Sequence, residues 1–176
     1  MIFAETPLAG AFVIQPEPKS DERGFFARTF DAREFETRGL DPRVAQTNLS
    51  FNVARGTLRG MHYQRPPHAE VKLVRCTRGA VHDVIIDLRA DSPTFRQHFA
   101  VRLDAENRTV LYVPEGFAHG FLTLSDGAEV SYQISRPYSP EHGTGVRFDD
   151  PAFGIVWPAP VRVILERDRT YPDFRG

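Results

Sequence analysis

Short runs in which apolar and polar residues alternate, broken by Gly, Pro, Asp and Asn, dominate this chain and restrict it to folds built from many short strands. Between Val81 and Leu88, the residues His82, Val84, Ile86 and Leu88 fall on one face; between Ala128 and Ile134, so do Ala128, Val130, Tyr132 and Ile134. A period of two marks half-buried strands. Further strands are expected at 11–16, 26–30, 44–51, 57–64, 95–103, 109–113 and 119–124. Arg78-Gly79, between two strand-like runs, predicts a hairpin turn. One helix is expected over 32–38, with Asp31 as N-cap, Glu34 three residues on and Gly39 as the stop. The pattern amounts to an all-β fold, a barrel or jelly roll with one short helix. The last ~30 residues, rich in Pro and charge, are expected to lie over it as a C-terminal strap.

The 176 residues suit one domain, 1–176, with a substantial core. Lys+Arg numbers 22 and Asp+Glu 23, so the net charge of -1 argues against nucleic acid as the main partner. A local basic pocket for one small anion stays compatible with that balance. Cys76 is the one cysteine, which precludes an internal disulfide and points to a reducing, cytoplasmic setting. It sits in the apolar run Val71–Cys76 and reads as a small core residue rather than a nucleophile. The start, Met1 to Pro7, lacks the basic and apolar regions of a signal peptide, and no apolar run approaches a membrane span.

Two stretches carry candidate chemistry. Pro114-Glu115-Gly116-Phe117-Ala118-His119-Gly120-Phe121 is similar to the second sequence motif of the cupin superfamily. Its first motif, a Gly followed after five residues by His-x-His, has a counterpart running from Gly56 to His62, but with Gln64 in place of the second histidine. A cupin metal needs about three imidazoles and a carboxylate, and a neutral amide is a poor substitute. His62, His119 and Glu70 could still hold a non-haem iron as a facial triad, so a metal-dependent enzyme is the competing class. The substitution favours a site without metal.

His62 then needs another role. Strict alternation places Leu58, Gly60, His62 and Gln64 on one strand face, toward the barrel interior, with Lys72 beside Val74 and Cys76 on the next strand. A buried lysine is costly without a partner, so an inward Lys72 near His62 suggests a ligand cavity. The plainer alternatives are a core histidine, a Lys72 whose head snorkels out, and a Tyr132 that is only a core aromatic. Alternation also sets Arg59 on the face opposite His62, unless a bulge at Gly60 brings both inward.

Eight segments, in order, resemble the dTDP-4-dehydrorhamnose 3,5-epimerase family. They are Asp21 to Phe26, Gln46-Thr47-Asn48, Leu58 to Gln64, Lys72 to Cys76, Ser92 to Phe95, Pro114 to Phe121, Tyr132 with Tyr138-Ser139-Pro140, and Arg167-Asp168. The resemblance implies a cupin-type jelly roll, no metal and no cofactor, and a homodimer whose N-terminal strands cross to the partner. It also implies an isomerase that acts on a nucleotide-diphosphate 4-keto-6-deoxy sugar and yields a deoxy sugar for polysaccharide or another glycosylated product.

By the same resemblance His62 is the base, Asp168 its carboxylate partner and Tyr132 the acid, while Lys72 steadies the enolate at the 4-keto oxygen. Arg23, Arg59 and His119 are substrate contacts. Phe26, Gln46, Asn48 and Tyr138 line the nucleotide or sugar site, and Arg28 and Arg167 are counted among the substrate-binding residues. The chain departs from the family at two substrate contacts, where glutamates give way to Arg28 and to a position near Gly143. These leave the nucleotide open. They also leave open a 3- or 5-only epimerase on another sugar nucleotide, and a non-catalytic sugar-binding cupin.

Overall fold

The computed structural model describes residues 1–175. Its strands are β1 (Ile2–Glu5), β2 (Phe12–Gln15), β3 (Lys19–Asp21), β4 (Gly24–Phe26), β5 (Gln46–Asn52), β6 (Leu58–Gln64), β7 (Lys72–Arg78), β8 (Ala80–Asp87), β9 (His98–Asp104), β10 (Val110–Val113), β11 (Phe117–Thr123), β12 (Ala128–Ile134) and β13 (Gly143–Gly145). Two short helices complete the set, α1 (Ala32–Glu36) and α2 (Glu166–Arg169). A six-stranded sheet, β1-β2-β10-β7-β12-β5, packs on a five-stranded one, β13-β6-β11-β8-β9. All their pairings are antiparallel, as in a jelly roll, and β3–β4 form a separate ribbon.

Arg78-Gly79 is not a hairpin turn. β7 and β8 belong to different sheets, and the turn carries the chain around the corner between them. Gly79 takes a left-handed φ of 71°, and a β-carbon there would come within 3.3 Å of the Ala128 α-carbon. The corner is therefore tight enough to need glycine.

Between the sheets lie Val74, Cys76, Val81, Ile85, Leu111, Phe121 and Val130. Burial pushes the Cys76 thiol up to about 11, which suits a core residue and not a nucleophile. On β8, His82, Val84 and Ile86 share one face, as the alternation predicts. Val81 and Ile85 point into this core, while Val84 and Ile86 face outward, where Val146, Phe153 and Trp157 cover them. β8 is thus buried on both faces, and alternation could not reveal which side is the interior. The covering segment is the expected strap. It includes α2, which composition did not signal.

Asp31 caps α1 as expected, accepting from the Arg33 and Glu34 amides at 3.0 and 3.3 Å. The helix stops at Glu36, and Phe35 packs with Phe3, Phe30 and Tyr112 on the outer face of the six-stranded sheet. The strand expected at 26–30 is displaced. It is β4, ending at Phe26, because Phe30 turns in against Phe35 at 5.1 Å between ring centres.

Candidate active site

The site depends on an irregularity in β6. His62 pairs with His119 and Arg59 with Phe121, so Gly60 and Met61 together oppose Gly120 alone. This is the bulge considered for Gly60, and it resets alternation, returning Arg59 to the side of His62 and Gln64. Leu58, opposite Leu122, consequently leaves that side, which corrects its placement with His62.

Along several strands the inward side chains change from apolar to polar, and there the interior opens as a cleft of about 680 Å³. β7 gives Val74 and Cys76 to the core but Lys72 to the cleft; β12 gives Val130 to the core and Tyr132 to the cleft. Gln46, Asn48, Arg59, His62, His119, Tyr138, Arg167 and Asp168 also line it. The volume suits a small-molecule ligand. Arg23, Phe26 and Arg28 are not brought there. Arg23 pairs with Asp21 in the exposed β3–β4 ribbon, Phe26 is 67% exposed, and Arg28 pairs with Asp31 at 2.6 Å.

His62 Nε2–H donates to Asp168 Oδ1 at 2.8 Å, leaving Nδ1 as the basic nitrogen. Asp168, on α2, is 1% exposed. Burial pushes its carboxyl up, but hydrogen bonds from His62, the Gly60 amide and Arg167 outweigh this and hold it below the usual carboxylate range. Tyr171, which the sequence reading passed over, sets its ring edge-on to His62.

Lys72 is buried, donating to the His62 carbonyl at 2.9 Å and pairing with Glu70 Oε1 at 3.2 Å. Tyr132 stands on the opposite sheet from His62, and burial raises its phenol, so it remains protonated at neutral pH. Arg59 Nε donates to Asn52 Oδ1 at 2.7 Å and bridges the sheets. Gln64, at the second histidine position of the cupin motif, is committed to backbone. It donates to the His68 carbonyl and accepts from the Ser139 amide, which anchors the Tyr138 segment. His119 turns to Asp83, a buried carboxylate that the sequence reading passed over, because alternation along β8 does not say which face is the inner one. Among the described residues, no three His, Cys, Asp or Glu side chains gather as metal ligands would.

A jelly roll with these motifs and a histidine–carboxylate pair facing a tyrosine across the cleft defines a cupin-type isomerase. The chain from residue 5 to 176 matches the family model for dTDP-4-dehydrorhamnose 3,5-epimerase. A curated enzyme of that name from Methanothermobacter thermautotrophicus is 46% identical, over 98% of this chain and 94% of its own length. The crystal structure of the enzyme of that name from Elizabethkingia anophelis superposes with a TM-score of 0.96 at 40% identity, covering 99% of this chain and 96% of that one. A 3'-monoepimerase from Streptomyces bikiniensis, solved with dTDP-quinovose, superposes with a TM-score of 0.87 at 37% identity, covering 96% and 85%. This chain belongs to the dTDP-4-dehydrorhamnose 3,5-epimerase family.

Proposed function

We propose that the cleft converts dTDP-4-dehydro-6-deoxyglucose to dTDP-4-dehydrorhamnose, inverting carbons 3 and 5 through enolates. One observation carries this proposal above the others: His62, backed by buried Asp168, and Tyr132 enter one cleft from opposite sheets. The 4-keto group acidifies the protons on its neighbouring carbons. His62 Nδ1 takes one, and the electron pair moves onto the ketone oxygen, where the Lys72 ammonium stabilises it. Tyr132 returns a proton to the other face of the ring, inverting the carbon. Arg59, Arg167 and His119 hold the diphosphate and sugar, and Gln46, Asn48 and Tyr138 hold the nucleotide. The likeness to a monoepimerase supports a second reading, inversion at one carbon only.

The working unit is a homodimer in this proposal. Of the N-terminal strands, β2 is already paired on both sides, with β1 and β10. The β3–β4 ribbon is the better candidate, since it presents exposed Phe25 and Phe26 beside Arg23, and the edge strand β5 exposes Leu49 and Phe51. The ribbon then supplies Arg23 and Phe26 to the partner's cleft, with Arg28 nearby. The one buried thiol and the absence, among the described residues, of any helix long and apolar enough to cross a membrane support a cytoplasmic enzyme.

The test is solvent exchange in D2O with dTDP-4-dehydro-6-deoxyglucose, followed by NMR. Deuterium should enter carbons 3 and 5 with inversion at both, and His62→Ala should lose both processes. Label at one carbon alone would establish the monoepimerase. No exchange, or activity lost on chelation and restored by iron or zinc, would overturn the proposal.

A further inference from the structure

Asp83 lies on the inner face of β8, fully buried between the sheets, beside a core of aliphatic and aromatic side chains. Among the described residues its carboxylate has one hydrogen-bonding partner. His119 Nε2 lies 2.9 Å from Oδ1 and 3.1 Å from Oδ2. A buried carboxylate is costly unless it is paired, so this contact is the reason the group is tolerated there. A carboxylate only accepts, and Nε2 must therefore carry the proton it donates. That leaves Nδ1, which makes no hydrogen bond within the described chain, as the polar atom His119 has for the cleft it lines.

The position of this pair is significant. His119 and His62 are direct partners across β11 and β6, and each turns Nε2 to a buried carboxylate. The two carboxylates come from unrelated places, one from α2 and one from the floor of the barrel. Neither ring can rotate without abandoning its partner.

We infer that Asp83 is a positioning residue for the epimerisation, holding His119 in the one tautomer and orientation that set Nδ1 against the sugar beside His62. The inference rests on the epimerase reading of the cleft. Asp83 itself touches no substrate. Its whole effect passes through His119.

Asp83→Asn tests this, because it keeps the volume and removes the constraint. An amide can either donate to Nε2 or accept from it, so the tautomer is no longer fixed. In the free protein, nitrogen NMR of the His119 ring should show Nε2 protonated in the wild type and a mixed or reversed assignment in Asp83→Asn. This arm does not depend on the reaction, so its failure sinks the inference while leaving the epimerase proposal intact. With substrate, Asp83→Asn should lower kcat by roughly tenfold or more, within the range for misplaced acid–base groups, while KM stays within about twofold. In a His119→Phe background the same substitution should have no further effect on kcat. An equal further loss there, or a lower melting temperature with the wild-type tautomer retained, would make Asp83 a fold residue only. Should Asp83→Asn fail to fold, the tautomer of wild-type His119 still decides, since an unprotonated Nε2 contradicts the inference.

Discussion

A β-carbon on Gly60 would stand 2.5 Å from the α-carbon of Gly120, and one on Gly120 would stand 2.8 Å from the α-carbon of Gly60. The two backbones touch where β6 bulges against β11, and this contact lets Arg59 and His62 face the same cleft. Gly60 also has a φ of 145°, which disfavours any side chain. Gly60→Ala should therefore destabilise the protein by roughly 2 kcal/mol or more and lower activity beyond what stability explains. Thermal melts and kcat/KM measure the two effects. Wild-type values for both would show that the bulge tolerates a side chain.

Tyr132→Phe should separate proton exchange from inversion. The ring and its packing remain and only the hydroxyl is lost. His62 can still remove a proton and return one to the same face, so deuterium should wash in while net epimerisation falls by about 10²–10⁴-fold. Inversion at the normal rate would reduce Tyr132 to a core aromatic.

Asp168→Asn should fall between wild type and His62→Ala in activity, because the imidazole stays in place but loses its orienting charge. It should also change acid stability. The folded carboxyl is held below its ordinary value, so it stabilises the fold above about pH 4, and that contribution is lost as pH falls through the folded value. Denaturant midpoints measured from pH 6 to about pH 2 should fall less steeply below about pH 4 in Asp168→Asn than in the wild type.

His82 predicts a second, milder acid effect. Its imidazole lies under the strap beside Trp157, with Nε2 buried and, among the described residues, unpartnered. Burial, the largest influence, lowers its proton affinity; Asp83 opposes and His98 reinforces the shift. The unfolded chain takes up a proton near pH 6.5 and the folded one only at lower pH, so stability should decline as pH falls below about 6.5. The slope cannot exceed about 1.4 kcal/mol per pH unit for one group. His82→Leu should flatten the profile between pH 6.5 and the folded value. An unchanged profile would assign the effect elsewhere.

Mixed dimers test the composite site. Arg23→Ala and His62→Ala proteins should each be poorly active alone. If the ribbon of one subunit completes the cleft of the other, unfolding and refolding the two together should restore about a quarter of wild-type activity, from the intact site in each mixed dimer. A stable monomer in light scattering at micromolar concentration, or no restoration, would assign Arg23 and Phe26 another role.

The sequence by itself determined the periodicity, the capped helix, the strap and the segments that carry His62, Lys72, Tyr132 and Asp168, because these are local patterns. Only the tertiary structure decided their phase and company. A period of two gives two faces without naming the inner one, and on β8 both are buried because Val146, Phe153 and Trp157 cover the outer. That missing phase concealed Asp83. At Gly60 a single extra residue reversed the alternation for the rest of β6, and its cause is the backbone of Gly120, on another strand. Asp168 reaches His62 across 106 residues, a pairing that exists because α2 returns from the strap to the mouth of the cleft.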